Sequence, residues 1–260
     1  MIEKWKAYCG GSRLLAWLTI AEAGMWLLVT ILGLAGRLFH FNVGLDQWLT
    51  LPSHAGIFIT RPWTILTYMM VHFDVLHMLF NVLWLYWFGR ILLLTISDRD
   101  LALYFIGGGV AGGILFMCAA TAGLGGGWLC GCSAAVIAVM CGAALRLPDH
   151  PVNLLLIGEV KLKWVALACC ALTFLGGGGN QAAHVGGLLW GVGLALYKRH
   201  GSVPRRKVRK ADKMVKALKN RQDDLRRLDE LLDKIKKSGY GGLSRKEREE
   251  LNDLSKRIKK

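Results

Sequence analysis

A chain of 260 residues that is 53% hydrophobic, with ten tryptophans and a mean hydropathy of +0.37, is too apolar for an ordinary soluble domain. These values are typical of a polytopic membrane protein. Of the net charge of +15, +13 lies in residues 198–260, which hold 23 of the 33 basic and 10 of the 18 acidic residues. Because this basic excess begins where the last apolar segment ends, it indicates contact with anionic lipid and argues against nucleic-acid binding.

Six apolar segments are predicted to cross a bilayer, a distance that takes about 20 helical residues. They cover roughly residues 14–36, 73–96, 101–122, 133–147, 160–175 and 181–197. Lysine and arginine are concentrated in residues 1–13, in alternate connections and after residue 197, whereas the glycine-rich loops carry no charge. The positive-inside rule then predicts that both termini are cytoplasmic. The expected fold is an all-α polytopic bundle of six transmembrane helices over residues 14–197.

Two polar side chains lie at the same depth in this predicted topology. Ser133 begins the fourth span and His184 lies in the first turn of the sixth, and both spans start at the outer side. Serine alone is weak evidence, because in a membrane helix it often bonds back to its own backbone. A titratable residue inside the membrane, however, indicates function by default, since burying it in lipid is costly.

Small residues every four positions predict close packing of the fourth and sixth spans. Such contact would bring the side chains of Ser133 and His184 within hydrogen-bonding distance. Helix packing alone would explain the small residues but not the two polar residues level with each other. The residues assigned to helix packing are Gly131, Ala134, Ala138, Gly187 and Gly191.

His77 and Asn81 lie four residues apart near the outer end of the second span, and therefore on one face of a helix. Two neutral hydrogen-bond donors directed at one point can stabilise a developing oxyanion. The alternative is that the Asn–His pair only stabilises the packing of two helices by a hydrogen bond between them, which contributes about 1 kcal/mol. Together with Ser133 and His184, the pair favours a catalytic interpretation.

These motifs resemble those of the rhomboid family of intramembrane serine proteases. The matching pieces are His77-x-x-x-Asn81, Gly131-x-Ser133 and Ala183-His184-x-x-Gly187-x-x-x-Gly191, and the resemblance covers roughly residues 13–198. It implies that Ser133 is the nucleophile and His184 the general base, with no acidic third member. It also implies that the backbone N–H of Ser133 and the side chains of His77 and Asn81 form the oxyanion hole.

Several positions depart from the family pattern. Arg61-Pro62-Trp63-Thr64 stands where the first loop often carries Trp-Arg, and Ile137 stands where some members have a tyrosine that stacks on the histidine. Cys132 replaces the usual small residue before the serine. Among the other polar residues, we expect Glu22 to reach water or a neighbouring helix. We expect His72 and Asp74 to line the cavity entrance or to be solvated at the interface.

No metal site and no cofactor are predicted. The seven cysteines show no reliable metal-binding spacing, and those within apolar segments are expected to pack as small hydrophobic residues. Cys130-x-Cys132 could be redox-active, but packing is the favoured interpretation.

The C-terminal region is predicted to contain a polybasic linker over residues 198–212 and a helical extension over residues 213–260. Ser244-x-x-Glu247 is a capping box that begins the second helix of this extension. A helical hairpin, a self-associating coil and a partner-docking element all fit the pattern. The residues expected to line the apolar faces of the two helices are Met214, Leu218, Leu225, Leu228, Leu232, Ile235, Leu251, Leu254 and Ile258.

The resemblance implies an intramembrane serine endopeptidase that cleaves other membrane proteins in or beside their transmembrane segments. A bacterial inner membrane is the expected location, and the lipid bilayer and transmembrane substrates are the expected partners. The main alternative is a catalytically silent rhomboid-like protein that binds transmembrane helices. A small transporter is disfavoured, because the spans contain few charges and no broken helices are evident.

Overall fold

The computed structural model describes residues 5, 9–40, 44–154, 158–175, 181–200 and 205–258. For residues 175, 199–200, 205–221 and 255–258 it describes the backbone alone. The chain divides into two compact units, residues 1–207 and residues 208–260.

The first unit is built almost entirely from helices, which confirms the all-α prediction. Two short antiparallel strand pairs accompany them: β1 (Leu51–Pro52) with β2 (Trp128–Leu129), and β3 (Pro151–Leu154) with β4 (Gly158–Lys161). The helices are α1 (Arg13–Phe39), α2 (Leu45–Leu49), α3 (Ala55–Thr60), α4 (Thr64–Thr67), α5 (Val75–Leu92), α6 (Asp98–Thr121), α7 (Ser133–Arg146), α8 (Leu162–Leu175) and α9 (Gln181–His200).

Three of these helices, α1, α5 and α6, are long and apolar enough to cross a membrane. Helices α7 and α8 are apolar but shorter, and α9 does not meet the same criterion within the described residues. Glycine supplies little apolar surface, and α9 contains four glycines as well as a basic C-terminal end. The chain is therefore a polytopic membrane protein, while the count of six spans stays a prediction.

The start of the fifth predicted span is wrong by two residues. Val160 and Lys161 belong to strand β4, where Val160 pairs with Val152 and Lys161 pairs with Pro151. Helix α8 begins only at Leu162. Val160 is β-branched and lies in an apolar segment, a pattern that fits either a strand or a helix. Its pairing with Val152 in the β-hairpin places it in a strand.

The centre of the membrane unit is formed by α6, α7 and α9, which approach one another through small residues. A Cβ atom on Gly112 of α6 would lie 2.6 Å from the Cβ of Ala134 and 2.8 Å from the carbonyl oxygen of Ala183. Helix α6 therefore lies against both helices that carry the candidate polar pair. Large apolar side chains on α1 and α5 are exposed instead, as expected for surfaces that face lipid; they include Trp17, Leu27, Leu28, Leu34, Leu76 and Leu79.

The segment before α5 contains two tryptophans that stack on each other. Trp48 and Trp63 stack with ring centres 6.0 Å apart, and the indole N–H of Trp63 donates to the Trp48 carbonyl at 2.9 Å. The Arg61 guanidinium lies 4.3 Å from the centre of the Trp48 ring. This arginine thus contacts an aromatic face at the position where the first loop departs from the family pattern.

The second unit contains helix α10 (Arg205–Ser238) from Val208 onward and helix α11 (Arg245–Ile258), joined by a 3₁₀ turn over Tyr240–Gly242. The capping box is confirmed, because the Ser244 N–H donates to the Glu247 carboxylate at 2.8 Å and the Glu247 N–H donates to the Ser244 hydroxyl at 3.3 Å. Lys234 of α10 also donates to this carboxylate, at 2.7 Å. These interactions lower the pKa of Glu247 to about 2.

The two helices of this unit pack as a hairpin on a small apolar core of Leu231, Leu243 and Leu254. The predicted apolar face is wrong at Leu225 and Leu232, which are both exposed. Consecutive leucines at 231 and 232 allow two helical registers, and packing against α11 selected Leu231. The side chains of Met214, Leu218 and Ile258 lie outside the described residues.

The predicted linker over residues 198–212 is helical wherever it is described. Residues 198–200 end α9 and residues 205–212 begin α10, while residues 201–204 lie outside the described part. Lysine and arginine are good helix formers, which accounts for helix formation in a basic segment.

Candidate active site

The loop that precedes Ser133 is held in place by backbone hydrogen bonds to two other segments of the chain. Leu129 of β2 pairs with Leu51 of β1, and the Gly131 N–H donates to the Tyr68 carbonyl at 2.9 Å. The Tyr68 hydroxyl donates to the carbonyl of Gly109 on α6 at 2.7 Å. The chain then enters α7 with Ser133 as its first helical residue, as predicted.

Gly131 cannot be replaced by a larger residue without moving its surroundings. Its φ of +96° lies in the left-handed region, and an added Cβ would lie 2.6 Å from Cε1 of His77. Gly131 was predicted to pack helices, but it lies in the loop before α7 and allows the His77 ring to approach that loop.

The hydroxyl of Ser133 lies 2.8 Å from Nε2 of His184, so the structure brings together the two residues predicted to meet. His184 is in the first turn of α9, and the two helices touch through the predicted small residues. A Cβ on Gly191 would lie 2.6 Å from the Ala138 carbonyl oxygen, and one on Gly187 would meet the backbone of Ala134. Without side chains between the backbones, a serine and a histidine can reach each other directly.

The environment of the imidazole sets how it can act. If Nε2 accepts from the Ser133 hydroxyl, Nδ1 carries the proton, and Nδ1 has no hydrogen-bond partner among the described residues. Phe174 of α8 meets the ring edge-on, with ring centres 6.3 Å apart and planes at 82°. The sequence did not indicate Phe174. It contacts the histidine from a different helix than the expected position 137, where Ile137 is buried in the core.

His77 and Asn81 both lie on α5, but they are held by other partners. The backbone N–H of His77 donates to the Asp74 carboxylate at 2.8 Å, so Asp74 caps the helix. The amide nitrogen of buried Asn81 lies 3.0 Å from Nε2 of His72. Neither side chain is hydrogen-bonded to Ser133 within the described ranges. Because the Asn81 amide has two N–H groups, one remains for another acceptor.

A second polar cluster lies beside these residues and was not foreseen as a unit. Glu22, His72 and Cys132 are each 0% exposed, and Nδ1 of His72 lies 3.5 Å from the Glu22 carboxylate. The Sγ of Cys132 lies 3.9 Å from Nε2 of His72. The expectation that His72 is solvated or lines the cavity entrance is wrong, because the ring fills a buried gap between α1 and the Ser133 loop. In the sequence, the feature that indicated a buried polar cluster was the carboxylate of Glu22 within the first predicted span.

Comparison with known families adds two findings. The model of the family described as Rhomboid domain matches residues 60–200, which is more than half of the chain and includes every candidate catalytic residue. Residues 217–257 match a family described as Family of unknown function (DUF6576). No curated protein matches the chain.

Proposed function

Because this chain belongs to the rhomboid family, we propose that it is an intramembrane serine endopeptidase that cleaves other membrane proteins in or beside their transmembrane segments. The observation that carries this proposal is the 2.8 Å contact between the Ser133 hydroxyl and Nε2 of His184. A nucleophile and its base are expected at such a separation, about 2.6–3.2 Å.

In the first step Ser133 attacks the carbonyl carbon of the scissile peptide bond. His184 accepts the hydroxyl proton on Nε2 and becomes an imidazolium, while the carbonyl oxygen takes on negative charge. When the C–N bond breaks, the same proton passes to the leaving amine. Water then repeats the sequence on the acyl-enzyme, with His184 again as the base.

The oxyanion is stabilised by the backbone N–H of Ser133 with the side chains of His77 and Asn81. The approach of His77 to Gly131, two residues before the serine, supports its part in this group. The amide nitrogen of Asn81 lies 3.0 Å from Nε2 of His72 and carries two N–H groups, at least one of which is available as the donor assigned to the oxyanion. Donors held in place before the reaction need no reorganisation when charge develops.

A transmembrane substrate must unwind before its backbone carbonyl can reach the serine, because helical carbonyls are hydrogen-bonded within the helix. We therefore expect small residues at the cleavage site and helix-weakening residues nearby. The protein is an integral membrane protein, and we assign it to a bacterial inner membrane with both termini in the cytoplasm. The ion pair between Lys198, at the end of α9, and Asp100, at the start of α6, supports a common side for those two helix ends.

A fluorophosphonate probe tests whether the serine is activated. The purified, detergent-solubilised protein should be labelled, and labelling should be lost in Ser133→Ala and in His184→Ala. The physical reason is that the probe reacts with a serine whose hydroxyl proton is removed by a base. Gel fluorescence measures the result, with thermal unfolding of each variant as the control for folding.

The alternative, a catalytically silent protein that binds transmembrane helices, predicts a different outcome. Folded wild-type protein would then show no more labelling than Ser133→Ala. That result would contradict the protease proposal and favour the helix-binding function.

Replacement of Asn81 should separate the oxyanion role from a purely structural one. Asn81→Ala removes a proposed oxyanion donor, and we expect kcat to fall about a hundredfold, with KM little changed. Cleavage kinetics of a transmembrane substrate measure both values. Asn153→Ala, the same change at an exposed residue of β3, should leave kcat unaltered. A fall in KM and kcat together, or none in kcat, would contradict the assignment.

A further inference from the structure

The cluster of Glu22, His72 and Cys132 brings together three ligand types from three distant parts of the chain. Glu22 lies in the middle of α1, His72 precedes α5 and Cys132 precedes the nucleophile. One ligand atom from each residue lies within 4.8 Å of the others, and all three residues are buried. Their separation in sequence, 50 and 60 residues, explains why no metal-binding spacing was visible.

Two polar groups in this cluster lack a hydrogen bond to any nitrogen or oxygen atom among the described residues. Neither carboxylate oxygen of Glu22 has an N–H or O–H donor in the described part of the chain, and Nδ1 of His72 has no hydrogen bond there either. No lysine or arginine among the described residues forms an ion pair with Glu22. A carboxylate whose close polar neighbours are an imidazole and a thiol, with no cationic side chain beside it, is costly in the interior of a membrane protein. A positive charge at this point would remove that cost.

The ligand set matches the preferences of zinc. Carboxylate oxygen, imidazole nitrogen and thiolate sulfur bind Zn²⁺ at about 2.0–2.3 Å, so ligand atoms around a tetrahedral ion lie roughly 3.3–3.8 Å apart. The 3.5 Å separation between Nδ1 of His72 and the Glu22 carboxylate falls in this range. One carboxylate and one thiolate also balance a divalent charge, which leaves the loaded site neutral.

The neighbouring asparagine provides the support that a ligating histidine needs. If Nδ1 of His72 binds the ion, Nε2 carries a proton and requires an acceptor. The Asn81 amide lies 3.0 Å away, and a half-turn of that amide presents its oxygen to Nε2. Each polar group of the cluster then has a partner.

We propose that Glu22, His72 and Cys132 form a binding site for a divalent ion of the zinc type. Binding removes the proton from the Cys132 thiol and joins α1 to the loop that holds Ser133. Three protein ligands leave one tetrahedral position for water. The proposal does not depend on proteolytic activity, because no ligand takes part in the assigned proton transfers.

Cobalt(II), a spectroscopic substitute for zinc, provides the test. The full-length protein, purified in detergent without a polyhistidine tag and stripped with a chelator, is titrated with Co²⁺. We expect one equivalent to bind, with the near-ultraviolet charge-transfer absorption of a thiolate–cobalt bond. Addition of Zn²⁺ should remove this absorption, and Zn²⁺ should raise the temperature of thermal unfolding.

Variants connect the signal to the proposed ligands. Cys132→Ser should abolish the thiolate absorption, and Glu22→Gln should weaken Co²⁺ binding by at least about 100-fold, since even outer partners of metal sites contribute 10–100-fold. Cys130→Ser, which changes a neighbouring thiol outside the cluster, should keep both the absorption and the affinity. Ser133→Ala should also keep them, which separates this site from the proposed protease function.

The absence of saturable Co²⁺ binding to the folded wild-type protein would overturn the proposal. So would binding without thiolate absorption, or absorption that persists in Cys132→Ser. In those cases the cluster is a network of uncharged groups, with a protonated Glu22 carboxyl.

Discussion

Replacement of Ser133 by alanine is expected to abolish cleavage of transmembrane substrates while leaving the fold intact. The hydroxyl that His184 contacts at 2.8 Å is the nucleophile of the proposed reaction, and alanine has no substitute for it. Loss of a serine nucleophile lowers kcat by about 10⁶-fold. The residual rate above the uncatalysed reaction comes from substrate binding and the oxyanion hole. A single-span reporter cleaved in proteoliposomes measures this rate.

A matched control uses the same substitution at a serine outside the membrane unit. The hydroxyl of Ser238 donates to the Lys234 carbonyl within α10, so Ser238→Ala should retain wild-type cleavage. Ser133→Ala should unfold at the same temperature as the wild type, because the change removes one small polar atom. Full activity in Ser133→Ala would show that another group is the nucleophile and would end the proposed mechanism.

Replacement of Gly187 by leucine is expected to damage the fold itself. A Cβ at this position would meet the backbone of Ala134 on α7, which cannot move aside as a flexible side chain could. Overpacking a tight contact costs about 1–3 kcal/mol, and a backbone obstruction belongs at or above the upper end of that range. The result should be a much lower unfolding temperature in detergent, with loss of fluorophosphonate labelling because α9 also carries His184.

Gly193 provides the control on the same helix. An added Cβ there would have no heavy atom within 4 Å, and the residue is exposed. Gly193→Leu should therefore unfold near the wild-type temperature. Equal destabilisation by both substitutions would indicate a general demand for glycine in α9 and would contradict close α7–α9 packing as the cause.

The contact between Ser133 and His184 could be predicted because it follows from residue patterns within short segments of the sequence. Small residues every fourth position indicate a close helix pair, and the alternation of basic connections predicts the depth at which each span begins. Both signals depend on composition within short segments. Helix α6 was not predicted to lie against the same pair, although glycines such as Gly112 make that contact possible.

The buried cluster could not be predicted in the same way. Glu22 was expected to reach water or another helix, and His72 was given a place at the cavity entrance. Only packing of α1 against the loop before α7 brings these groups to Cys132. Contacts between residues 50–110 positions apart leave no periodic signal along the chain.

The amino-acid sequence by itself determined the membrane class, the helical composition, the approach of Ser133 to His184 and the capped second helix of the tail. Each follows from interactions between neighbouring residues or between a short segment and its solvent. Tertiary structure alone decided the partner of the Asn81 amide, the contact of Phe174 with His184 and the choice of Leu231 over Leu232 in the tail. These outcomes depend on which surfaces meet, because packing and buried hydrogen bonds are satisfied between segments that are remote in sequence.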